Sequence, residues 1–248
     1  MKSIIKVQWK KVSEGNWKAS LLLATKEGFE KRGLEPGRGL SYEVANERRC
    51  TGYAPSPGER AKCPEFREIE KGSQCPECRG KDIYSGYVRG EENDLDGDFS
   101  VYMAQIGGMV KVGVTRKEKI PKRWIEQGAD YGAEIVSGIS SNEALEKEDE
   151  LTDGEITQRI RKEKKTSTPK NPDKLSKILG KRDLDAEIVD VQNLTVYPEI
   201  EGEFNRGGLL EGKIQSVKGQ IVSNGRVAMA MTSGKTLKQP DQKGLNSF

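Results

Sequence analysis

The sequence predicts an α+β protein, and three features of the chain support this fold class. Short runs of β-favouring residues, separated by turns that contain Gly, Asn or Pro, occupy both ends of the chain. Helix start and stop signals are concentrated in the middle, between residues 121 and 182. Four cysteines lie in a stretch that is rich in Pro, Gly and charge. Hydrophobic and charged residues each make up 33 % of the 248 residues, so we expect small modules and not one large core.

The N-terminal segment is predicted to form a β-hairpin. Apolar-rich runs at 4–9 and 17–24 flank a polar turn that contains Gly15 and Asn16. No residue type in this region suggests chemistry. We therefore expect a sheet that supports the rest of the protein.

The four cysteines predict a metal site. Cys75 and Cys78 form a CxxC turn, and Cys50 and Cys63 can complete a tetrahedral set of four thiolates. A structural Zn²⁺ is the favoured interpretation, because residues 51–80 have few apolar side chains and need a cross-link to fold. Disulfide bonds and a redox-active CxxC are the alternatives, although no βαβ pattern surrounds the motif. A shell of four thiolates is closed, so this metal would not activate water.

Charge is distributed unevenly along the chain, whose net charge is +3. Residues 157–182 contain ten basic and two acidic side chains, a net charge of +8, which leaves −5 for the remainder. This asymmetry favours a polyanionic partner. The basic residues of the segment are Arg159, Arg161, Lys162, Lys164, Lys165, Lys170, Lys174, Lys177, Lys181 and Arg182.

The sequence also excludes some classes of protein. It contains no histidine, which removes the Ser-His-Asp triad and any imidazole base or ligand. No apolar run approaches the roughly 18 residues of a membrane span, and the N-terminus has no signal-peptide core. We therefore expect a cytoplasmic protein without a membrane partner.

A hairpin predicted around Gly107 and Gly108 carries the side chains that most strongly indicate a functional site. The two glycines can supply the two positive-φ positions of a tight turn, which places Tyr102 opposite Gly113. One face of this hairpin is almost entirely apolar and should face a core. The other face carries Tyr102 and Lys111 beside the space that Gly113 leaves open.

Two helices are predicted after the hairpin. Pro121 and Gly128 can begin and end a short helix that carries Arg123. Ser140 and Glu143 have the spacing of a capping box, which begins a longer helix.

The segments VYMAQI, KVGVTR and KRW, in this order, resemble the GIY-YIG nuclease superfamily over residues 99–151. In that superfamily a two-tyrosine hairpin precedes a helix with an arginine and then a helix with a glutamate, typically in an Ala-Leu-x-x-Glu setting. Residues 144–148, ALEKE, supply that setting here. The cysteines and the VKGQ segment at 217–220 are also similar to an uncharacterised, largely archaeal family related to that superfamily. The resemblance implies a GIY-YIG-like central domain.

The resemblance also implies roles for single side chains. Tyr102 would be the base or the group that positions water, Arg123 would hold the scissile phosphate, and Glu148 would bind Mg²⁺ or Mn²⁺. Lys111 stands where the superfamily has its second tyrosine. Lys111 could contact phosphate as a point charge, or it could mark a site that binds the nucleic-acid backbone without cutting it. The asparagine that often completes the superfamily's site has no clear counterpart here.

Structural alternatives exist for each of these residues. Tyr102 could be a packed aromatic residue, and Arg123 could be a charge on a solvent-facing helix surface. Glu148 belongs to an acidic run that is typical of a solvated helix face, and Glu146 takes its place if the register differs.

A third helix is predicted from Thr152, with basic residues crowded at its C-terminal end. Strands are predicted at 186–191, 194–200, 209–218 and 220–231, and these form a small barrel or complete the N-terminal sheet. The residues expected to contact phosphate groups are Arg116, Arg159, Arg161, Lys162, Lys164 and Lys165.

We therefore predict three regions: an N-terminal β region with a zinc loop (1–98), a GIY-YIG-like domain (99–165), and a linker with a C-terminal β segment (166–248). The predicted function is binding of nucleic acid, RNA or DNA, with metal-dependent phosphodiester cleavage as an activity that the resemblance allows. The alternative is a non-catalytic zinc protein associated with RNA or the ribosome. A zinc-stapled module that binds an acidic protein is a third interpretation.

Overall fold

A computed structural model describes residues 1–85, 96–169 and 171–239 of the chain. Within these residues the chain forms sheets of six, four and five strands, with helices packed against them. The α+β class predicted from the sequence is confirmed. Lys170, which belongs to the predicted basic segment, lies outside the described residues.

The strands are β1 (Lys2–Ser13), β2 (Asn16–Ala24), β3 (Phe29–Gly33), β4 (Gly39–Arg48), β5 (Phe99–Ile106), β6 (Met109–Arg116), β7 (Tyr131–Ile139), β8 (Ile156–Thr157), β9 (Ile188–Asp190), β10 (Glu203–Asn205), β11 (Gly208–Lys213), β12 (Ser216–Lys218), β13 (Ile221–Ser223), β14 (Val227–Ala230) and β15 (Lys235–Lys238). The α-helices are α1 (Pro76–Gly80), α2 (Lys122–Gln127), α3 (Ser141–Leu151) and α4 (Asp173–Lys181). Short 3₁₀ turns occupy Lys117–Lys119, Lys162–Lys165 and Gln192–Leu194.

The six-stranded sheet joins the two ends of the chain. Its order is β11-β4-β15-β1-β2-β3, and the predicted N-terminal hairpin is the antiparallel pair β1–β2. One predicted C-terminal strand completes this sheet, as one of the two predicted alternatives states, because β11 pairs with β4. The strand β15, which was not predicted, inserts between β1 and β4. The remaining C-terminal strands form the four-stranded sheet β10-β14-β13-β12.

The five-stranded sheet, in the order β8-β6-β5-β7-β9, carries the predicted central hairpin. The predicted register is confirmed, since Tyr102 pairs with Gly113, and Lys111 pairs with Ala104. The turn differs in detail, because Gly107 has a positive φ of 57° and Gly108 does not.

Both faces of this hairpin are buried, whereas the sequence suggested one open face. β5 lies in the centre of the sheet and every one of its residues is buried. On one side, Val101 and Met103 pack with α3 and α4. On the other side, Tyr102 packs with α2 and with residues of the six-stranded sheet. Helix α2 therefore lies between two sheets.

The helix predicted from Thr152 is wrong. The carboxylate of Asp153 accepts hydrogen bonds from the backbone N–H groups of Glu155 and Ile156, which turns the chain instead of continuing a helix. Ile156 is then buried in β8, which pairs in parallel with β6. The basic residues that follow occupy an extended segment and the 3₁₀ turn Lys162–Lys165.

Elements from both sides of the predicted boundary after residue 165 contribute to the five-stranded sheet and its core. Helix α4 packs on the five-stranded sheet, and β9 pairs with β7 of the same sheet. The strand predicted at 194–200 is also wrong, since the segment begins with the end of the 3₁₀ turn Gln192–Leu194 and forms no strand. Among the described residues, no helix has the length and apolar character needed to cross a membrane.

Candidate functional site

The four predicted metal-ligating cysteines come together. The sulfur atoms of Cys50, Cys63, Cys75 and Cys78 lie within 4.8 Å of one another, and all four residues are buried and free of disulfide bonds. The backbone N–H of Cys75 donates to Sγ of Cys50 at 3.2 Å. This group of four thiols can hold one metal ion such as zinc.

The surroundings of the cysteines favour a bound cation. Burial raises the pKa of Cys50 to about 11 and raises the pKa of Cys78 as well. The pKa of Cys63 is lowered although burial opposes this, because backbone groups of Arg67 and Glu65 hydrogen-bond the sulfur. Several buried thiolates at this spacing would repel one another, and a metal ion removes that repulsion. Few apolar side chains pack on the cysteines, so the metal would replace a hydrophobic core in this loop.

The four residues that the resemblance singled out also come together, and we call Tyr102, Lys111, Arg123 and Glu148 the Tyr102 cluster. The Tyr102 ring fills the space that Gly113 leaves, since a Cβ atom at residue 113 would lie 2.6 Å from the tyrosine hydroxyl oxygen. The Lys111 Nζ atom lies 6.0 Å from the centre of the same ring.

Two helices carry Arg123 and Glu148 to the hairpin. Trp124 of α2 packs on Gly132 of β7, which fixes the helix that carries Arg123. In α3, Ala144 is buried and Glu148 follows four residues later on the same face, so its side chain is half-buried.

The orientation of α3 distinguishes Glu148 from Glu146, the alternative candidate on the same helix. Glu146 is exposed and lies on the other side of α3, beside Val136 of β7. Glu148, in contrast, faces the charges of Lys111 and Arg123.

Electrostatic effects show that the members of the Tyr102 cluster act on one another. Burial and the charge of Arg123 lower the pKa of Lys111 to about 8, and the charge of Glu148 opposes both. Burial raises the pKa of Glu148, and Lys111 and Arg123 oppose that rise. The guanidinium and the carboxylate therefore lie on the same side of the molecule.

Tyr102 does not suit the role of a base. It is 0 % exposed, and burial raises the pKa of its phenol, so the hydroxyl stays protonated at neutral pH. Among the described residues, no hydrogen bond of good geometry reaches this hydroxyl, although the Arg123 guanidinium lies near enough to oppose the rise of the phenol's pKa. The residue is thus a buried donor beneath the site and is partly the packed aromatic residue of the structural alternative.

The predicted phosphate-contacting residues do not form one patch. Lys165 lies beside the Tyr102 cluster: its Nζ donates to the carbonyl of Gln127 at 2.8 Å, and burial together with the charge of Lys111 lowers its pKa to about 8. Lys162 points to another loop, where its Nζ donates to Oγ1 of Thr232 at 2.8 Å.

The other members of the predicted set lie elsewhere. Arg116 stacks 5.3 Å from the ring centre of Phe99, at the end of the hairpin opposite its turn. On α4, Lys181 pairs with Glu155. The exposed side chains of the segment include Arg159, Arg161 and Lys164.

Sequence reasoning missed a buried ion pair that supports the hairpin turn. Lys218 Nζ lies 2.6 Å from Oδ1 of Asp130, which is 0 % exposed, and Oδ2 of Asp130 accepts a hydrogen bond from the N–H of Gly107 at 2.7 Å. The side chain of Gln220 bonds both the N–H and the carbonyl of Val7. The VKGQ segment at 217–220 therefore joins the central hairpin to β1, a role that was not predicted from the sequence.

Comparisons with known proteins give one match. The model of a family described as Protein of unknown function (DUF2797) matches residues 37–201, more than half of the chain. This stretch includes the four cysteines and the whole Tyr102 cluster. Searches of the curated proteins and of the solved structures found no match.

Proposed function

We propose that this chain, which belongs to the DUF2797 family of proteins of unknown function, binds nucleic acid through phosphate groups at the Tyr102 cluster. The observation that carries the proposal is the concentration of cations around one carboxylate. Lys111, Arg123 and Lys165 act on one another electrostatically, and Glu148 is the carboxylate that acts on Lys111, so these four side chains carry a net charge of +2.

Like charges that are partly removed from water destabilise a folded protein unless an anion lies between them. A phosphodiester supplies that anion. Arg123 suits a bidentate contact with two phosphate oxygens, and Lys111 suits a single strong charge–charge contact. The buried hydroxyl of Tyr102 is a further donor at the base of the site, beside Arg123.

The same site offers a second candidate function, metal-dependent cleavage of the phosphodiester. The observation that favours it is the half-buried Glu148 beside Lys111 and Arg123, in the order of hairpin, arginine helix and glutamate helix that resembles the GIY-YIG superfamily. Glu148 would hold Mg²⁺ or Mn²⁺, with the remaining ligands supplied by water and phosphate, and the ion would lower the pKa of bound water. Arg123 would stabilise charge that develops on the phosphate.

A non-catalytic role in RNA or ribosome association uses the same phosphate contacts and differs in the absence of cleavage. The replacement of the superfamily's second tyrosine by Lys111 and the raised pKa of Tyr102 favour this role over catalysis. In either case we propose that the four cysteines bind a structural Zn²⁺, which fixes the loop between β4 and β5.

Binding is tested by fluorescence anisotropy with labelled single-stranded and duplex RNA and DNA over a range of salt concentrations. The double variant Lys111→Met/Arg123→Gln should reduce the log–log salt slope by about 1 to 2, because each phosphate contact contributes about 0.7 to 0.9. The matched control is Lys10→Met/Arg226→Gln, which removes two exposed charges that belong to neither the proposed site nor the predicted phosphate-contacting set. Equal slopes for the two double variants would contradict the proposal.

Cleavage is tested with the same nucleic acids in the presence of Mg²⁺ or Mn²⁺. Glu148→Gln should abolish any cleavage, whereas Glu146→Gln, on the exposed side of the same helix, should leave it unchanged. Binding by the wild-type protein without cleavage supports the non-catalytic role. Cleavage that survives Glu148→Gln removes Glu148 from the mechanism.

A further inference from the structure

A second group of cations lies beyond Lys162, and we call Arg48, Lys162, Arg206 and Lys235 the Lys162 cluster. These residues come from four separated parts of the chain: the end of β4, a 3₁₀ turn, the loop between β10 and β11, and the start of β15. No run of basic residues in the sequence marks this group, because its members are far apart along the chain.

The loop before β15 holds these side chains together. Lys162 Nζ donates to Oγ1 of Thr232 at 2.8 Å, and Nη1 of Arg48 donates to the carbonyl of the next residue, Ser233, at 3.0 Å. Lys235 Nζ donates to the carbonyl of Arg206 at 2.6 Å. Neutral oxygen atoms, and not carboxylates, therefore fix the positions of three cations.

The charge of the Lys162 cluster is poorly balanced. Glu163, which lies 3.1 Å from Arg206, is the one carboxylate that the described part of the chain pairs with these four cations, so the net charge is +3. Burial, together with the charges of Arg48, Lys235 and Arg206, lowers the pKa of Lys162 to about 8. The fold thus holds like charges close together at a cost that a bound anion would relieve.

Lys162 and Lys165 connect this cluster to the Tyr102 cluster. They are the first and last residues of one 3₁₀ turn, and its period of three residues places both side chains on the same side. The charge of Lys162 acts on Lys165, as do the charges of Lys111 and Arg123. A continuous line of cations therefore runs from Arg123 to Arg48.

We propose that the Lys162 cluster is a second phosphate site for the same nucleic-acid strand, which would run from the Tyr102 cluster past Lys165 to Arg48 and Lys235. This inference rests on the proposed function and extends it. It assigns to the strand a path longer than one phosphate and adds three residues, Arg48, Arg206 and Lys235, that the basic segment does not contain. It also brings the strand close to the cysteine loop, since Nη1 of Arg48 donates to the carbonyl of Gly72 at 2.7 Å.

The path is tested with single-stranded oligonucleotides of about 3 to about 15 nucleotides, a range that covers usual single-strand site sizes. The double variant Arg206→Gln/Lys235→Gln should bind the longest strand about tenfold more weakly, with a salt slope smaller by about 1 to 2. Its affinity for the shortest strand should equal that of the wild-type protein. The matched control, Lys10→Gln/Lys18→Gln, removes two exposed charges from β1 and β2.

A second measurement uses the wild-type protein and does not depend on the folding of a variant. Lysine acetylation quantified by mass spectrometry should decrease at Lys162 and Lys235 in the presence of the longest strand, but not of the shortest strand, with Lys10 as the unprotected reference. Either of two results would overturn the second phosphate site: unchanged acetylation at both lysines, or a double variant that binds the longest strand as tightly as the control does. Binding of a strand by the wild-type protein would still support the proposed site at the Tyr102 cluster. If the wild-type protein binds no strand of any length, both proposals fail.

Discussion

Replacing Lys111 with methionine should make the protein more stable at neutral pH. The side chain is 7 % exposed, and its pKa is about 8 instead of the ordinary 10.5, a difference of about 2.5 units. At about 1.4 kcal/mol per unit, the charged ammonium costs about 3 kcal/mol relative to the neutral amine. Methionine has similar length and no charge, so it removes this cost without opening a cavity.

The expected gain in the free energy of unfolding is about 2 to 3 kcal/mol at pH 7, and this figure already includes the attraction of Glu148, which opposes the lowering of the Lys111 pKa. The double variant Lys111→Met/Glu148→Gln also removes the carboxylate that would otherwise keep only Arg123 as a cationic neighbour. The stability advantage of Lys111→Met should shrink between pH 8 and 10.5. In this range Lys111 is protonated in the unfolded wild-type protein but has lost its proton in the folded one, so the wild-type protein becomes more stable as the pH rises.

Urea unfolding at pH 7 and at about pH 9.5 measures both effects, with Lys10→Met as the exposed control. A Lys111→Met variant that is less stable than the wild-type protein at pH 7 would refute the reasoning, because Lys111 would then be a net stabilising partner of Glu148. The same variant should bind nucleic acid more weakly, which would show that this position gives up stability for function.

Further predictions concern the pH dependence, the hairpin and the cysteines. Affinity for a labelled strand at constant ionic strength should fall from pH 7 to pH 9, because Lys111, Lys162 and Lys165 each have a pKa of about 8 and lose their charge; a constant affinity would argue against their contact with phosphate. Gly113→Ala should cost about 1 to 3 kcal/mol in thermal unfolding through its clash with the buried Tyr102 ring, whereas Gly108→Ala, which faces open space, should not. Cys63→Ser should lose the bound zinc in metal analysis and lower the unfolding temperature; a full equivalent of zinc in the variant would contradict the proposed ligand set.

Local signals predicted much of the fold. The Gly107–Gly108 pair fixed the hairpin and its register, because a two-residue turn leaves one pairing of the flanking strands. The capping box at Ser140 and Glu143 is present as predicted, since its two hydrogen bonds depend on residues three positions apart. These features require contacts between near neighbours in the chain.

Long-range contacts account for the features that were not predicted from the sequence. The insertion of β15 between β1 and β4 depends on packing between the two ends of the chain, which no local pattern encodes. The basic segment is continuous in sequence, yet its side chains separate in the structure: Lys165 lies beside the Tyr102 cluster, Lys162 contacts Thr232, and Lys181 forms a salt bridge with Glu155. Arg48 was not predicted to belong to a group of cations for the same reason, because the other members of the Lys162 cluster lie far from it along the chain.

The most direct test of the central claim is the pKa of Lys111, measured by NMR from the pH dependence of its ¹³Cε shift in the free and the strand-bound protein. The signal is assigned by its loss in Lys111→Arg. We expect about 8 in the free protein and a clear rise towards 10.5 when a strand is bound, because a phosphate beside the ammonium stabilises its charged form. A pKa that stays the same on binding would show that no phosphate lies at Lys111 and would contradict the account.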